Sequence, residues 1–135
     1  MSEVNLSTYL SVPPEKVWEL IGQFNALADW HPAVEKSNLE EGGTVRKLSL
    51  VGGGEIVEKL LPTDEEHTYE YSILSSPLPV MNYTSKIKVI KDGDGAKVEW
   101  SSNFEPSGAS ESDAINAITG VYQAGFDNLK KMFGG

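Results

Sequence analysis

The feature that most constrains the fold is a series of strand-like segments that ends in one long amphipathic segment. Between residues 36 and 104, six stretches with strand character follow one another, separated only by short turns or loops. Their alternation of apolar and polar side chains is typical of strands with one buried face. Consecutive strands joined in this way pair antiparallel, so the pattern predicts a meander whose apolar face needs a cover.

The last segment supplies that cover. Ser110 is a plausible N-cap followed by acidic residues, and Gly134 can end the helix. Gly120 and Gly125 lie within this helix, and each lowers its stability by ~1 kcal/mol relative to alanine. Gly125 lies near the inward apolar stripe, where a glycine favours close packing. The apolar residues at helical spacing are Ile115, Ile118, Tyr122, Phe126, Leu129 and Phe133.

The N-terminal third predicts one further strand and two short helices. Val4 to Val12 alternates, and Pro13-Pro14-Glu15 then begins a helix, because proline suits the first helical turn. A second helical piece is predicted from Asn25 to Val34, ending near His31-Pro32, since the residue before proline disfavours helix. The order of elements predicts an α+β protein.

Each of two neighbouring strands carries one charge on its apolar face. Arg46 shares a face with Leu48 and Leu50, and Glu58 lies in the same way on the next strand. A charge on an apolar face is costly unless it is paired or faces a wet cavity. Two interpretations stay open: a cavity-lining pair that orients a ligand's carbonyl, hydroxyl or carboxylate, or a structural ion pair.

Several aromatic and hydroxyl side chains fall on predicted inward faces. A buried hydroxyl needs a hydrogen-bond partner, so this set favours a pocket lining over a dry core. The inward residues are Tyr69, Tyr71, Tyr83, Ser85, Trp100, Ser102, Tyr122 and Phe126.

The segment around Trp30 and His31 is a candidate rim of this pocket. His31 is the histidine placed to act as a pocket acid or base, because His67 falls in a polar turn. The alternative is that Trp30 fills the core and His31 lies on the surface.

Composition excludes several classes of function. The net charge of -9 repels phosphate backbones, so we expect neither a nucleic acid nor an anionic membrane as partner. Without cysteine there is no thiolate chemistry, and the two distant histidines form no metal signature. We expect no cofactor and no stable membrane insertion. The N-terminus has no signal-peptide pattern, so the expected location is cytoplasmic.

The ordered set of these residues resembles the START-like (SRPBCC) superfamily. The superfamily includes birch-pollen-allergen-type proteins and plant abscisic-acid receptors, and the chain most resembles its bacterial polyketide cyclase/dehydrase-like members. The resemblance implies one domain over residues 1–135 with a helix-grip fold. In that fold, a curved seven-stranded antiparallel sheet wraps around a long C-terminal helix, with two short helices between strands 1 and 2. The matching pieces are Val17-Trp18, Asp29 to Pro32, Arg46, Glu58, Tyr71, the Pro77 loop, Tyr83, Val98 to Trp100 and Tyr122.

The resemblance also implies a deep cavity for apolar small molecules, though the fold does not fix the activity. Three functions remain open, of which binding or carrying of a lipid, polyketide, isoprenoid or aromatic metabolite is favoured. The second is a cofactor-independent cyclase or dehydratase with Glu58, Arg46 and His31 as catalytic candidates, and the third is a protein-interaction module. The oligomeric state, monomer or dimer, is left open. The predicted ligand-binding residues are Trp30, Arg46, Glu58, Tyr69, Tyr71, Tyr83, Ser85, Trp100, Ser102, Tyr122 and Phe126.

Overall fold

A computed structural model describes residues 2–134, which form seven strands, three α-helices and two 3₁₀ turns. The strands are β1 (Ser2–Leu10), β2 (Val34–Glu40), β3 (Val45–Leu50), β4 (Glu55–Leu61), β5 (Thr68–Ser75), β6 (Val80–Asp92) and β7 (Gly95–Pro106). The helices are α1 (Pro14–Ile21), α2 (Leu27–Trp30) and α3 (Glu111–Phe133), and the 3₁₀ turns span Phe24–Ala26 and Glu41–Gly43.

All seven strands belong to one antiparallel sheet in the order β1-β7-β6-β5-β4-β3-β2. Helix α3 covers the apolar face and packs mainly against β1, with further contacts to β7 and α2. The short helices lie between β1 and β2 in the chain. This is the predicted helix-grip fold.

The ends of α3 follow the signals in the sequence. The Ser110 hydroxyl accepts a hydrogen bond from the Asp113 backbone N–H at 3.1 Å, which satisfies one of the free donors of the first turn. At the other end, the Gly134 N–H donates to the Lys130 carbonyl at 2.8 Å, in a conformation with φ 78° that suits glycine.

The predicted second helix is shorter than expected. In place of one piece from Asn25 to Val34, a 3₁₀ turn leads into α2, which ends at Trp30. His31 is extended (φ -103°, ψ 118°), as expected before Pro32. Val34 already begins β2, so the prediction that the helical piece extends to this residue was wrong.

Within residues 2–134, no helix is long and apolar enough to cross a bilayer.

Candidate functional site

An internal cavity of about 110 Å³ lies between the sheet and the first half of α3. Its lining is almost entirely apolar. Five of the site residues predicted from the sequence line it: His31, Glu58, Tyr71, Tyr83 and Trp100. Sequence reasoning did not assign the apolar remainder of the wall to the site. That remainder consists of Leu27, Ala33, Val34, Leu48, Leu50, Ile56, Ile73, Leu78, Ile118 and Val121.

The partly exposed members of the lining mark the side where the cavity approaches solvent. They are Ala33 before β2, Leu50 at the end of β3, Ile73 in β5, Leu78 in the β5–β6 loop and Val121 in α3. In the β3–β4 turn, Gly52, Gly53 and Gly54 have φ values of 87°, 104° and 101°, a backbone that other residues rarely adopt. A Cβ on Gly54 would lie 3.9 Å from Cγ of Pro77. The β3–β4 turn therefore adjoins the β5–β6 loop.

Arg46 and Glu58 form an ion pair at the cavity wall. They are directly opposite each other in the β3–β4 ladder, because the glycine turn places the two strands in this register. Arg46 Nε donates to Glu58 Oε1 at 2.7 Å, and Nη2 approaches the same oxygen at 2.6 Å. Both side chains are buried, with 0% and 6% exposure.

The rest of the Arg46 guanidinium is directed at protein groups. Nη1 donates to the Phe24 carbonyl oxygen at 2.6 Å and to the Tyr69 hydroxyl at 3.3 Å. The guanidinium carbon lies 4.2 Å from the centre of the Phe24 ring, within cation–π range. Glu58 lines the cavity and Arg46 does not. The geometry thus combines both interpretations: a structural ion pair of which one member faces the cavity.

Burial and charge oppose each other in this pair. Burial raises the pKa of Glu58 above its ordinary value, and the neighbouring Arg46 charge offsets part of this rise. Burial disfavours charged Arg46, but Tyr69, Glu58 and Tyr71 outweigh this effect and raise its pKa. Arg46 is therefore a permanent cation, and it needs the Glu58 carboxylate as its partner.

A chain of hydrogen bonds lies beside the pair. Trp100 Nε1 donates to the Tyr71 hydroxyl at 3.1 Å and to Ser85 Oγ at 3.2 Å. The Tyr71 and Tyr83 hydroxyls are 3.3 Å apart, Tyr83 bonds to Tyr122, and Tyr122 lies 3.0 Å from Ser85 Oγ. Burial raises the pKa of Tyr71 and Tyr83 well above the ordinary value and that of Tyr122 to about 12. These tyrosines are neutral phenols at neutral pH.

His31 is buried at the cavity wall, so the alternative that it lies on the surface was wrong. Its Nδ1 accepts the Ala33 N–H at 3.1 Å, so Nε2 carries the proton, which it donates to the Val121 carbonyl at 2.7 Å. Burial lowers the pKa of His31, and the bond to Val121 only partly compensates. Both nitrogens are engaged, so proton transfer by His31 would require one of these bonds to break.

Seven predicted ligand-binding residues do not line the cavity: Trp30, Arg46, Tyr69, Ser85, Ser102, Tyr122 and Phe126. All seven are buried. The Trp100 ring lies against Tyr122 at 4.1 Å, and Trp30 and Phe126 surround it at 5.5 and 6.1 Å. These rings pack where α3 meets β7, and the cavity lies beside them, with much of its wall formed by β3, β4 and β5. In residues 2–134, no group of three or more His, Asp or Glu side chains is arranged to hold a metal ion.

Comparison with known proteins places this geometry in a family. The family described as "Polyketide cyclase / dehydrase and lipid transport" matches residues 1–134. No curated protein sequence matches the chain.

Solved structures share the fold of this chain. XoxI from Bacillus cereus is 41% identical with a TM-score of 0.95, over 98% of this chain and 96% of that one. An uncharacterised protein from Bacillus thuringiensis is 40% identical with a TM-score of 0.92, over 98% of both chains. The Zhui aromatase/cyclase from Streptomyces sp. R1128 shares the fold, with 16% identity and a TM-score of 0.76 over 97% of this chain and 92% of that one. The chain therefore belongs to the polyketide cyclase/dehydrase and lipid transport family of the START-like superfamily.

Proposed function

We propose that this protein binds a compact apolar small molecule between the sheet and α3. The observation that carries the proposal is an internal, almost wholly apolar cavity whose lining includes one carboxylate, that of Glu58. Pockets of this kind bury most of a ligand and orient it with few polar groups. Membership of a family described by polyketide and lipid chemistry supports the same class of ligand.

The volume of the cavity limits the size of the ligand. Small-molecule pockets usually measure about 300–1,000 Å³, whereas this one measures about 110 Å³. An apolar cavity of about 150 Å³ is known to bind benzene. A single ring is therefore close to the limit of the resting cavity. A larger polyketide or a lipid would require the Gly52–Gly54 turn and the Ser75–Pro79 loop to move apart.

Catalysis is the second candidate, with Glu58 as general base. The observation that favours it is a carboxylate with a raised pKa in the wall of an apolar cavity, a combination common at catalytic sites. Arg46 does not line the cavity, so it would not contact a developing enolate directly. Deuterium exchange at the acidic C–H positions of cyclopentanone, a single-ring ketone, followed by NMR in deuterium oxide, tests this role. Exchange no faster than in buffer contradicts it.

Binding is tested by placing a larger side chain on β4 so that it fills the cavity. Ile56 lines the cavity, and its neighbour Val57 lies on the opposite face of β4. We expect toluene to shift the amide NMR signals of Ile118 and Val121 in the wild-type protein and in Val57→Phe. In Ile56→Phe, these shifts should be lost while the protein remains folded. Equal shifts in all three proteins, or none in the wild type, would contradict the proposal.

A further inference from the structure

We infer that the cavity selects neutral ligands that donate a hydrogen bond, such as phenols, alcohols and N–H heterocycles, with the Glu58 carboxylate as acceptor. The inference rests on the proposed binding function and specifies the chemistry of the ligand. It is based on which hydrogen-bond donors and acceptors of the described residues remain without a partner at the cavity wall.

The direction of the hydroxyl chain is set by one backbone carbonyl. Ser85 Oγ donates its only proton to the Ser101 carbonyl at 2.8 Å, so the Ser85–Tyr122 bond must use the Tyr122 proton. The Tyr83–Tyr122 bond must then use the proton of Tyr83, and the Tyr71–Tyr83 bond that of Tyr71. Every proton in the chain is therefore directed away from the cavity and towards Ser101.

The other N–H groups of polar cavity-lining side chains are also engaged. Trp100 Nε1 donates to Tyr71 and Ser85, and His31 Nε2 donates to the Val121 carbonyl. Among residues 2–134, the polar side chains that line the cavity therefore offer a ligand no free donor. A ligand with only acceptor groups, such as a ketone or an aldehyde, would bury them without a partner, which is costly.

Glu58 has the acceptor capacity that a donor requires. Its Oε1 takes both contacts from Arg46, and among the described residues no side chain or backbone group donates to Oε2. A carboxylate has room for about four hydrogen bonds. Glu58 lines the cavity, and Oε2 is the carboxylate oxygen to which the described residues donate no hydrogen bond, so we assign it to the O–H or N–H group of the ligand.

Charge further narrows the class of ligand. Arg46 already neutralises Glu58, so a buried ammonium would have no counter-ion of its own. A ligand carboxylate would face the like charge of Glu58 without a free donor to compensate. Neutral molecules that present an O–H or N–H group meet neither cost.

The test is an NMR titration of the wild-type protein at pH 7 with phenol, benzaldehyde and sodium benzoate, which share one ring and differ in the polar group. We expect phenol to bind about tenfold or more tightly than benzaldehyde, and benzoate not to bind. Benzaldehyde binding as tightly as phenol would overturn the selectivity but leave cavity binding intact. If neither these probes nor toluene binds at millimolar concentration, the proposed function also fails.

Glu58→Gln provides a second test. The amide oxygen of the glutamine can accept the hydrogen bond from Arg46, which leaves its NH₂ group to donate a hydrogen bond to the ligand. We expect this variant to prefer benzaldehyde over phenol. A retained preference for phenol would remove Glu58 from the proposal. If the variant does not fold, the wild-type series decides alone.

Discussion

The two glycines inside α3 form a matched pair for a stability experiment. Gly120 is exposed, and a Cβ built on it has no non-local atom within 4 Å. Gly125 is buried, and its Cβ would lie 2.9 Å from His31 Cδ2, 3.0 Å from Trp30 Cζ3 and 3.2 Å from Trp100 Cζ3. Alanine at the two positions is therefore expected to change stability in opposite directions.

Both substitutions gain helix propensity, worth about 1 kcal/mol each. At Gly120 nothing opposes this gain. At Gly125 the new methyl group must displace rings that have little room to move, since His31 is held by two hydrogen bonds and Trp30 packs on Trp100. Overpacking costs ~1–3 kcal/mol, and these restraints place the cost in the upper part of that range. We expect Gly125→Ala to lose about 1–2 kcal/mol net, leaving the two variants roughly 2–3 kcal/mol apart.

Urea denaturation followed by circular dichroism measures this difference, with an unchanged m-value as the check that only stability has changed. For a domain of this size, the melting temperatures should differ by roughly 6–12 °C. A Gly125→Ala protein as stable as Gly120→Ala would refute the argument that the α2–α3–β7 packing requires glycine.

Two further predictions concern the buried polar groups. Arg46→Met leaves Glu58 buried without its partner and should lower the free energy of unfolding, measured by urea denaturation, by ~3–5 kcal/mol. The double variant Arg46→Met/Glu58→Leu should recover most of this loss. If both variants lose the same stability, loss of the ion pair does not explain the effect of the single variant. Burial lowers the pKa of His31, so below about pH 6.5 the unfolded chain binds a proton that the folded chain does not. The stability that His31 contributes is therefore present above this pH and is lost as the pH falls. The melting temperature of the wild type should fall more steeply than that of His31→Gln between pH 7.5 and 5; parallel curves would contradict the assignment.

Local pattern was enough to predict the strands and the long helix of this protein, whereas the seven-stranded helix-grip arrangement was implied by the family resemblance. Alternation defines strands and their inward faces, helical spacing defines α3, and both are properties of neighbours in the chain. The contact between Arg46 and Glu58 is also nearly local, since a short glycine turn joins their strands and sets the register. The extent of the short helices was less predictable, because α2 ends where Pro32 overrides an apolar pattern that continues to Val34.

The content of the site depends on tertiary structure. Periodicity tells which side chains face inwards, but not which of them meet α3 and which meet empty space. Helix α3 packs on the β1–β7 side, so Tyr122, Phe126 and Trp30 are packed against Trp100, while Leu48 and Ile56 on β3 and β4 face the cavity. His31 can be buried because the carbonyl of Val121, 90 residues later in the sequence, accepts the hydrogen bond from its Nε2–H. The sequence by itself determined the faces of the sheet and helix, and the position of the helix across the sheet decided which residues form the cavity.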